Sequence, residues 1–227
     1  MEKFLTWRIV LRQPPRQAGL FLPGGLIALA APLRHAGLPD EVGLLLPNRD
    51  GLRLLIEALG ADPGAAEGKA VGLFLADPFL HVKTLAAQLA EMGVVWVVNF
   101  PSVEQQDREF SQQLADVGLD SGLELARLAG FRDAGFGLLA AVADADAAAE
   151  AVALDPAALL MLPRVGDFAA GFPSFRQRGA AAAEAARAAH AVGWSGAVLG
   201  LGKAEEAEHQ SLWPDALDGL AIRDFAG

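Results

Sequence analysis

The stretch LFLADPFLHVKTLAAQLAEMGVVWVVNFPSV, residues 73–103, decides the fold. It holds two apolar runs of strand length, and each stops at a polar residue close to a proline: Asp77-Pro78 after the first and Asn99-Phe100-Pro101 after the second. The residues between these runs space their apolar side chains at helical intervals. A strand, a helix and a second strand predict parallel pairing. We therefore expect Asp77 and Asn99 at the carboxyl edge of the strands, where barrel enzymes built from alternating strands and helices keep their chemistry.

The same alternation recurs along most of the chain. Apolar runs of strand length fall at Gly19–Leu22, Val42–Leu46, Ala70–Ala76, Val94–Phe100, Phe136–Ala143, Ala158–Leu162, Gly196–Leu199 and Leu220–Ile222. Helical spacing falls at Leu26–His35, Leu52–Leu59, Leu80–Met92, Val103–Leu114, Gly122–Ala129, Asp144–Ala153 and Gly179–Val192. Eight such units predict an α/β protein with one domain over residues 1–227, folded as a closed (β/α)₈ TIM barrel. A doubly wound open sheet is the alternative.

The two ends of the chain depart from this repeat. Residues 1–13 are interpreted as an opening helix that stops at Pro14-Pro15, because a residue that precedes proline is disfavoured in the α region. Only Asp224 to Gly227 follow the eighth run, too few residues for a closing helix. One flank of the barrel would then be covered by the opening helix or by another subunit. We expect a homo-oligomer, or assembly with a paralogous subunit.

Composition excludes several classes of function. The net charge of -10 argues against a surface for nucleic acid or anionic membranes, both of which attract basic patches. The chain contains no cysteine, which excludes disulfides, thiolate nucleophiles and cysteine-ligated zinc. No apolar stretch is long enough to cross a membrane, and the N-terminus lacks the pattern of a signal peptide. A cytoplasmic protein is the simplest expectation.

If the barrel forms, the residues just after each strand share one rim. They are Gly24, Gly25, Asn48, Arg49, Asp77, Asn99, Asp144, Arg164, Gly202, Lys203, Arg223 and Asp224. Guanidinium groups, amides and exposed backbone N–H groups together suit a small anionic ligand. Asp and Asn are also preferred N-cap residues, so Asp77-Pro78 is open to interpretation as a plain helix start. The Gly-Leu-Gly-Lys segment that ends at Lys203 is likewise either a tight turn or part of a phosphate site.

Other catalytic patterns are missing from the sequence. The four histidines are scattered without the spacing of zinc ligands, and no serine lies in a nucleophile elbow. Magnesium needs only one or two carboxylates, so an Mg²⁺ held through waters by Asp77, Asp107 or Glu124 remains open.

One family resemblance covers about residues 73–128. The pattern resembles the phosphoenolpyruvate hydrolase-like TIM-barrel family, which is itself similar to the C-terminal domain of a plant antiviral resistance protein. The matching residues are Asp77-Pro78-Phe79, Asn99-Phe100-Pro101-Ser102-Val103, Asp107, Phe110, Leu114, Gly118 and Glu124. Weaker matches extend to Leu44–Asn48 and to Gly166.

This resemblance implies an oligomeric barrel near phosphonopyruvate and phosphoenolpyruvate chemistry. Asp77 and Asn99 would position the ligand or a hydrated Mg²⁺, Glu124 would be an acid, base or supporting group, and Arg164 with Gly202 would hold the anion. The chain departs from the family at both histidines and both tyrosines; the corresponding positions here are Pro47, Ser121, Arg164 and the Leu201-Gly202-Lys203 segment. Because such groups transfer protons, two hypotheses stand. One is a hydrolase or lyase of C–P or enol-phosphate substrates, and the other is a catalytically degenerate barrel that serves as a ligand sensor or a partner subunit.

Overall fold

The computed structural model describes residues 4–12, 22–29 and 51–223, which contain eight strands closed into a barrel. The strands are β1 (Phe4–Leu11), β2 (Gly25–Leu29), β3 (Lys69–Gly72), β4 (Trp96–Val98), β5 (Gly137–Val142), β6 (Ala158–Met161), β7 (Ala197–Gly202) and β8 (Gly219–Arg223). Neighbours in the barrel follow chain order, and β8 closes on β1. From β2 to β8 every neighbouring pair is parallel, whereas β1 is antiparallel to both β2 and β8.

Helices connect the parallel strands on the outside. In the described part of the chain they are α1 (Gly51–Ala61), α2 (Val82–Glu91), α3 (Arg108–Asp116), α4 (Ser121–Asp133), α5 (Ala145–Ala151), α6 (Phe175–Ala191) and α7 (Ala204–Glu208). Short 3₁₀ turns follow several strands and helices, at Val103–Gln105, Val152–Leu154, Val165–Ala170 and Gln210–Leu212. No helix in the described ranges is long and apolar enough to cross a membrane.

The predicted opening helix over residues 1–13 is wrong, since Phe4–Leu11 is a strand in the barrel wall. Its side chains alternate with a period of two. Leu5 and Trp7 pack with the cluster inside the barrel, and Phe4 packs with the cluster outside it. A helix would place the residues at positions 4 and 7 on one face, whereas this chain needs them on opposite faces. The opening segment therefore cannot serve as an outer helix for the flank.

The second correction concerns β2. Gly25–Leu29 is a strand, although the sequence predicts a helix over Leu26–His35. Pairing with β1 on one side and β3 on the other overrides the weak helical spacing of so short a run. Parallel pairing throughout is also wrong, because β1 runs against its neighbours. The predicted strand Val42–Leu46 lies outside the described residues, as does Gly19–Leu22 except for Leu22, which belongs to no strand.

The barrel interior is filled with apolar side chains. Alternate residues of each strand point inward, as with Leu139 and Ala141 on β5, and their neighbours pack against the outer helices. Trp7 meets Phe100 edge-on with ring centroids 5.0 Å apart. Burying a large apolar side chain stabilises the fold by about 1.5–3 kcal/mol relative to leaving it exposed. The interior is thus a packed core, and polar chemistry is confined to the two ends of the barrel.

Candidate functional site

The carboxyl ends of the parallel strands form one rim, and Asn99 lies there directly after β4. Its side-chain amide spans to β5: Nδ2 donates to the Ala141 carbonyl over 3.0 Å, and the Ala141 N–H donates to Oδ1 over 2.7 Å. The side chain thereby continues the hydrogen bonding between the two strands beyond the end of β4. Asn99 is buried, with 2% of its surface exposed. Its polar atoms are engaged within the protein.

Glu124, on the first turn of α4, is buried against the same loop. Its Oε2 accepts from the Ser102 hydroxyl over 2.6 Å and from Asn99 Nδ2 over 3.3 Å, and its Oε1 accepts from the Val103 N–H over 3.1 Å. Only 1% of Glu124 is exposed. We call Asn99, Ser102 and Glu124 the rim brace, because together they fix the loop after β4 to helix α4.

Burial sets the protonation of Glu124. Loss of solvent is the largest influence and raises the pKa of its carboxyl to about 7, against the lowering effect of hydrogen bonds from Ser102, Asn99 and Val103. The nearby carboxylate of Glu104 raises this pKa further. A group of this pKa exchanges its proton near neutral pH, the range that acid–base catalysis requires.

Asp77 lies in a turn after β3 and begins no helix. Its Oδ1 accepts from the Phe79 N–H over 2.8 Å, while α2 starts only at Val82 with His81 as its N-cap residue. The interpretation of Asp77-Pro78 as a helix start is therefore wrong. The turn is held by Arg127 of α4, whose Nη1 donates to the carbonyls of Leu75 and Asp77. Arg127 is three residues beyond Glu124, so one face of α4 holds both rim loops.

Arg164 follows β6 and lies in the centre of an ionic cluster. Its Nη1 donates to the Glu104 carbonyl over 2.9 Å, and its Nη2 pairs with the carboxylates of Asp144 and, over 3.6 Å, of Glu104. Burial raises the pKa of Asp144, but the N–H of Ala147 and the Arg164 guanidinium outweigh it, so the net shift is downward. Burial raises the pKa of Glu104, and Arg164 only partly offsets this.

A cleft of about 620 Å³ opens beside this cluster. Its polar lining consists of Glu104, Ser111, Gln112, Asp120, Ser121, Asp144 and Arg164. Asp77, Asn99 and Glu124 do not line the cleft. The volume falls within the usual range of small-molecule sites. Of the residues predicted at the rim, Asp144 and Arg164 thus line this cleft.

The glycines predicted at the rim are divided between the two ends of the barrel. Gly166 lies in the 3₁₀ turn after Arg164, and Gly202 ends β7. At the loop after Gly202, the Lys203 N–H donates to Glu206 Oε2 over 2.8 Å, and Arg178 of α6 pairs with the same carboxylate. Gly24 and Gly25 lie at the opposite end, where a Cβ on Gly25 would come within 2.5 Å of the Trp7 carbonyl oxygen.

Two predicted site residues, Asn48 and Arg49, lie outside the described residues, as does Asp224. Arg223 ends β8. Asp107 caps α3 through the Phe110 N–H over 2.8 Å, while Asp77 closes its own turn and Glu124 is buried in the rim brace. Within the described ranges, no three His, Asp or Glu side chains are grouped so as to hold a metal ion. An Mg²⁺ held through waters by one or two of these carboxylates stays a prediction.

The sequence alone does not predict the contacts that several residues of this rim make. Ser102 and Gln105 form a capping box at Val103–Gln105, and the spacing of a serine three residues before a glutamine signals it. The sequence indicates a role for Arg127 only weakly, through its position three residues beyond Glu124. No sequence pattern predicts the role of Glu104, because its contact with Arg164 depends on the path of the loop after β4.

Comparisons with known proteins add little to this picture. No protein-family model and no curated protein matches the chain. Among solved structures, the chain is similar to nitroalkane oxidase from Streptomyces ansochromogenes at 14% identity and a TM-score of 0.31. The alignment covers 69% of this chain and 40% of that one, so the chain spans well under half the length of that protein. A likeness at this level carries no argument about activity.

Proposed function

We propose that this chain is a TIM-barrel protein related to the phosphoenolpyruvate hydrolase-like family, and that it binds a small anionic 2-oxo acid or enol-phosphate at the carboxyl rim. The closed barrel with six parallel neighbouring pairs supports the assignment, and the antiparallel β1 is its departure from a regular (β/α)₈ order.

Arg164 carries the proposal. Two of its contacts are with backbone carbonyls, at Glu104 over 2.9 Å and at Gln106 over 3.4 Å, and these contacts hold the guanidinium on the cleft wall. The side chain remains 33% exposed. A guanidinium held in this way presents a fixed fork of N–H donors that matches carboxylate or phosphate oxygens. An incoming anion would replace Glu104 or Asp144 as its partner.

Of the two hypotheses, the geometry favours the barrel without the family reaction. Asn99 and Glu124, which the resemblance assigns to ligand positioning and proton transfer, are buried and bound to each other, and neither lines the cleft. In this protein they hold the rim loop in place. The chain is then a ligand sensor or a non-catalytic partner subunit.

The catalytic alternative rests on one observation. The pKa of Glu124 is raised to about 7, which suits a general acid or base near neutral pH. If the loop after β4 opened on ligand binding, this carboxyl would become available.

Two assays together test the non-catalytic binder against the enzyme. One is a thermal-shift screen with phosphonopyruvate, phosphoenolpyruvate and pyruvate, each with and without Mg²⁺, and the other measures released phosphate. Ligand at a hundred times its dissociation constant stabilises the folded state by about 2.7 kcal/mol, a rise in Tm of roughly 5–10 °C for a chain of this size. We expect stabilisation without turnover, lost in Arg164→Gln and kept in Arg176→Gln, an exposed arginine on α6. Turnover abolished by Glu124→Gln would establish the enzyme instead. Absence of both effects would reject the ligand site.

A further inference from the structure

The barrel end opposite the rim carries a second cleft, of about 480 Å³, that the rim site does not use. It lies where β4 to β7 begin, and its lining includes Trp96 and Trp194. Its polar side chains are Arg132, Asp155 and Ser195.

Glycines make room for both indoles. A Cβ on Gly137 would come within 2.4 Å of the Trp96 ring, and a Cβ on Gly196 within 2.2 Å of the Trp194 ring. The Trp194 ring is further fixed by its Nε1, which donates to the Pro156 carbonyl over 3.1 Å. Trp194 is buried, with 7% of its surface exposed, so Trp96, which is partly exposed, presents the aromatic surface of the cleft, and a flat indole suits a planar ring.

Asp155 is in an unusual conformation for its residue type. Its φ of 52° and ψ of 51° are left-handed, and every other described residue with positive φ is a glycine. Aspartate tolerates this region better than most residues, but glycine is the default. At this one position the chain instead carries an exposed carboxylate facing the cleft, and among the described residues no hydrogen bond or ion pair engages it. Asp155 ends the 3₁₀ turn Val152–Leu154, a position where a left-handed residue is common, and this ending presents its side chain to the cleft.

Arg132 supplies the opposite charge. Its one ion pair within the described ranges is with its neighbour Asp133, over 3.2 Å, and the two side chains are 46% and 70% exposed. So exposed a pair is weak and is readily exchanged for another anion.

We propose that this cleft binds a planar nitrogen heterocycle that carries an anionic group, of the purine nucleotide kind. The ring would lie against the Trp96 indole, its N–H donors would reach Asp155, and its phosphate would reach Arg132. A carboxylate accepts two parallel N–H bonds from a guanine edge but only one donor group from adenine, so the guanine base is the better fit. The volume lies within the usual range for such ligands. This proposal is independent of the rim site.

The test is calorimetric titration with GMP, guanosine, AMP and inorganic phosphate. We expect GMP to bind at least about tenfold more tightly than guanosine or AMP, and inorganic phosphate to bind still more weakly. Asp155→Asn keeps the tolerance for left-handed backbone and should weaken GMP about tenfold, while Arg132→Gln should remove the preference for GMP over guanosine. Asp146→Asn on α5 and Arg187→Gln on α6, both exposed, are the matched controls and should bind GMP as the parent does.

Three results would overturn the proposal. One is no heat of binding with GMP at millimolar concentration. Another is unchanged GMP affinity in both Asp155→Asn and Arg132→Gln. The third is loss of GMP binding in Arg164→Gln with binding kept in Arg132→Gln, which would move the nucleotide to the rim. Thermal melts verify that each variant is folded. Asp155→Asn, Arg132→Gln and the two controls should melt within about 2 °C of the parent because their side chains are exposed, whereas Arg164→Gln, which loses its ion pairs, should melt a few degrees lower.

Discussion

The rim brace and the Arg164 cluster are two polar groups at the same end of the barrel, yet they are built differently. Asn99, Ser102 and Glu124 are buried and satisfy one another, whereas Arg164, Asp144 and Glu104 remain partly open to solvent beside a cleft. The two residues for which the sequence predicts ligand positioning and proton transfer, Asn99 and Glu124, are the ones removed from solvent. A polar residue retained at a strand end can thus serve to hold the chain, and access to solvent, more than resemblance, indicates where a ligand could bind.

The largest effect is expected from removing the centre of the rim brace. Glu124→Ala leaves the Ser102 hydroxyl, the Asn99 amide and the Val103 N–H without their acceptor in a buried space, so we expect unfolding free energy to fall by roughly 3–5 kcal/mol. Urea denaturation measures it. A loss under about 1 kcal/mol would show that the brace is not a buried unit and would erase the contrast with the cluster.

The pH dependence of stability offers the next largest effect. Because the folded pKa of Glu124 is about 7 against an ordinary 4.5, the folded protein keeps a proton that the unfolded chain releases, and stability falls by roughly 3 kcal/mol as pH rises from 4.5 to 7. The burial-raised pKa of Glu104 acts in the same direction, so the decline should be reduced and not abolished in Glu124→Gln. If unfolding free energy fell equally with pH in the parent and in Glu124→Gln, Glu124 would not be the group responsible for the decline.

Asn99→Ala should lower the unfolding free energy by about 2 kcal/mol, less than the Glu124 changes. It leaves the Ala141 N–H and carbonyl without partners at the end of the β4–β5 ladder. Hydrogen exchange at the Ala141 amide provides a local measurement, and exchange there should accelerate beyond the change in global stability. Asp77→Ala is the comparison variant, since its side chain accepts one bond within its own turn. If Asn99→Ala and Asp77→Ala lower the unfolding free energy equally, the burial of Asn99 adds nothing to the stability of its loop.

The smallest effect belongs to the ionic cluster. Arg164→Gln should lower unfolding free energy by about 1 kcal/mol, since the pair with Asp144 is partly solvated. That loss should shrink in about 1 M salt, where charges are screened beyond roughly 3 Å, while the loss in Glu124→Ala should not. Urea denaturation of both variants at low and high salt measures the two losses of unfolding free energy. A loss in Arg164→Gln that does not change with salt would show that the cluster, like the rim brace, is shielded from solvent.

From β3 onward the sequence predicts the fold well. Six of the eight predicted strands overlap the strands observed, and helices from Leu52 onward overlap their predictions, although Val103–Leu114 divides into a 3₁₀ turn and α3. The prediction fails in the N-terminal part because β1 and β2 take their strand conformation from pairing within the barrel, which local residue spacing does not reveal. Their pairing is decided by β8 and β3, which lie far away in the chain.

The sequence predicts where the rim residues lie in the fold but not which contacts they make. Asp77, Asn99 and Arg164 were placed at the rim because the ends of parallel strands must meet there. Which of them face solvent depends on how the loop after β4 folds back onto α4, and no residue spacing encodes this. The opposite cleft had no sequence signal at all, since Asp155 and Trp194 belong to loops that approach each other only in the closed barrel.

The antiparallel β1 also imposes an order on biosynthesis. It can pair with β2 soon after both are made, but its other edge waits for β8, some 200 residues later in the chain, as the Arg12 to Pro214 contact illustrates. Until β8 is made, the nascent chain presents one unpaired apolar edge on β1 and another on its latest strand, and such edges recruit other chains. We expect a truncation before Gly219 to aggregate, whereas a synthetic β8 peptide added in trans should restore its solubility.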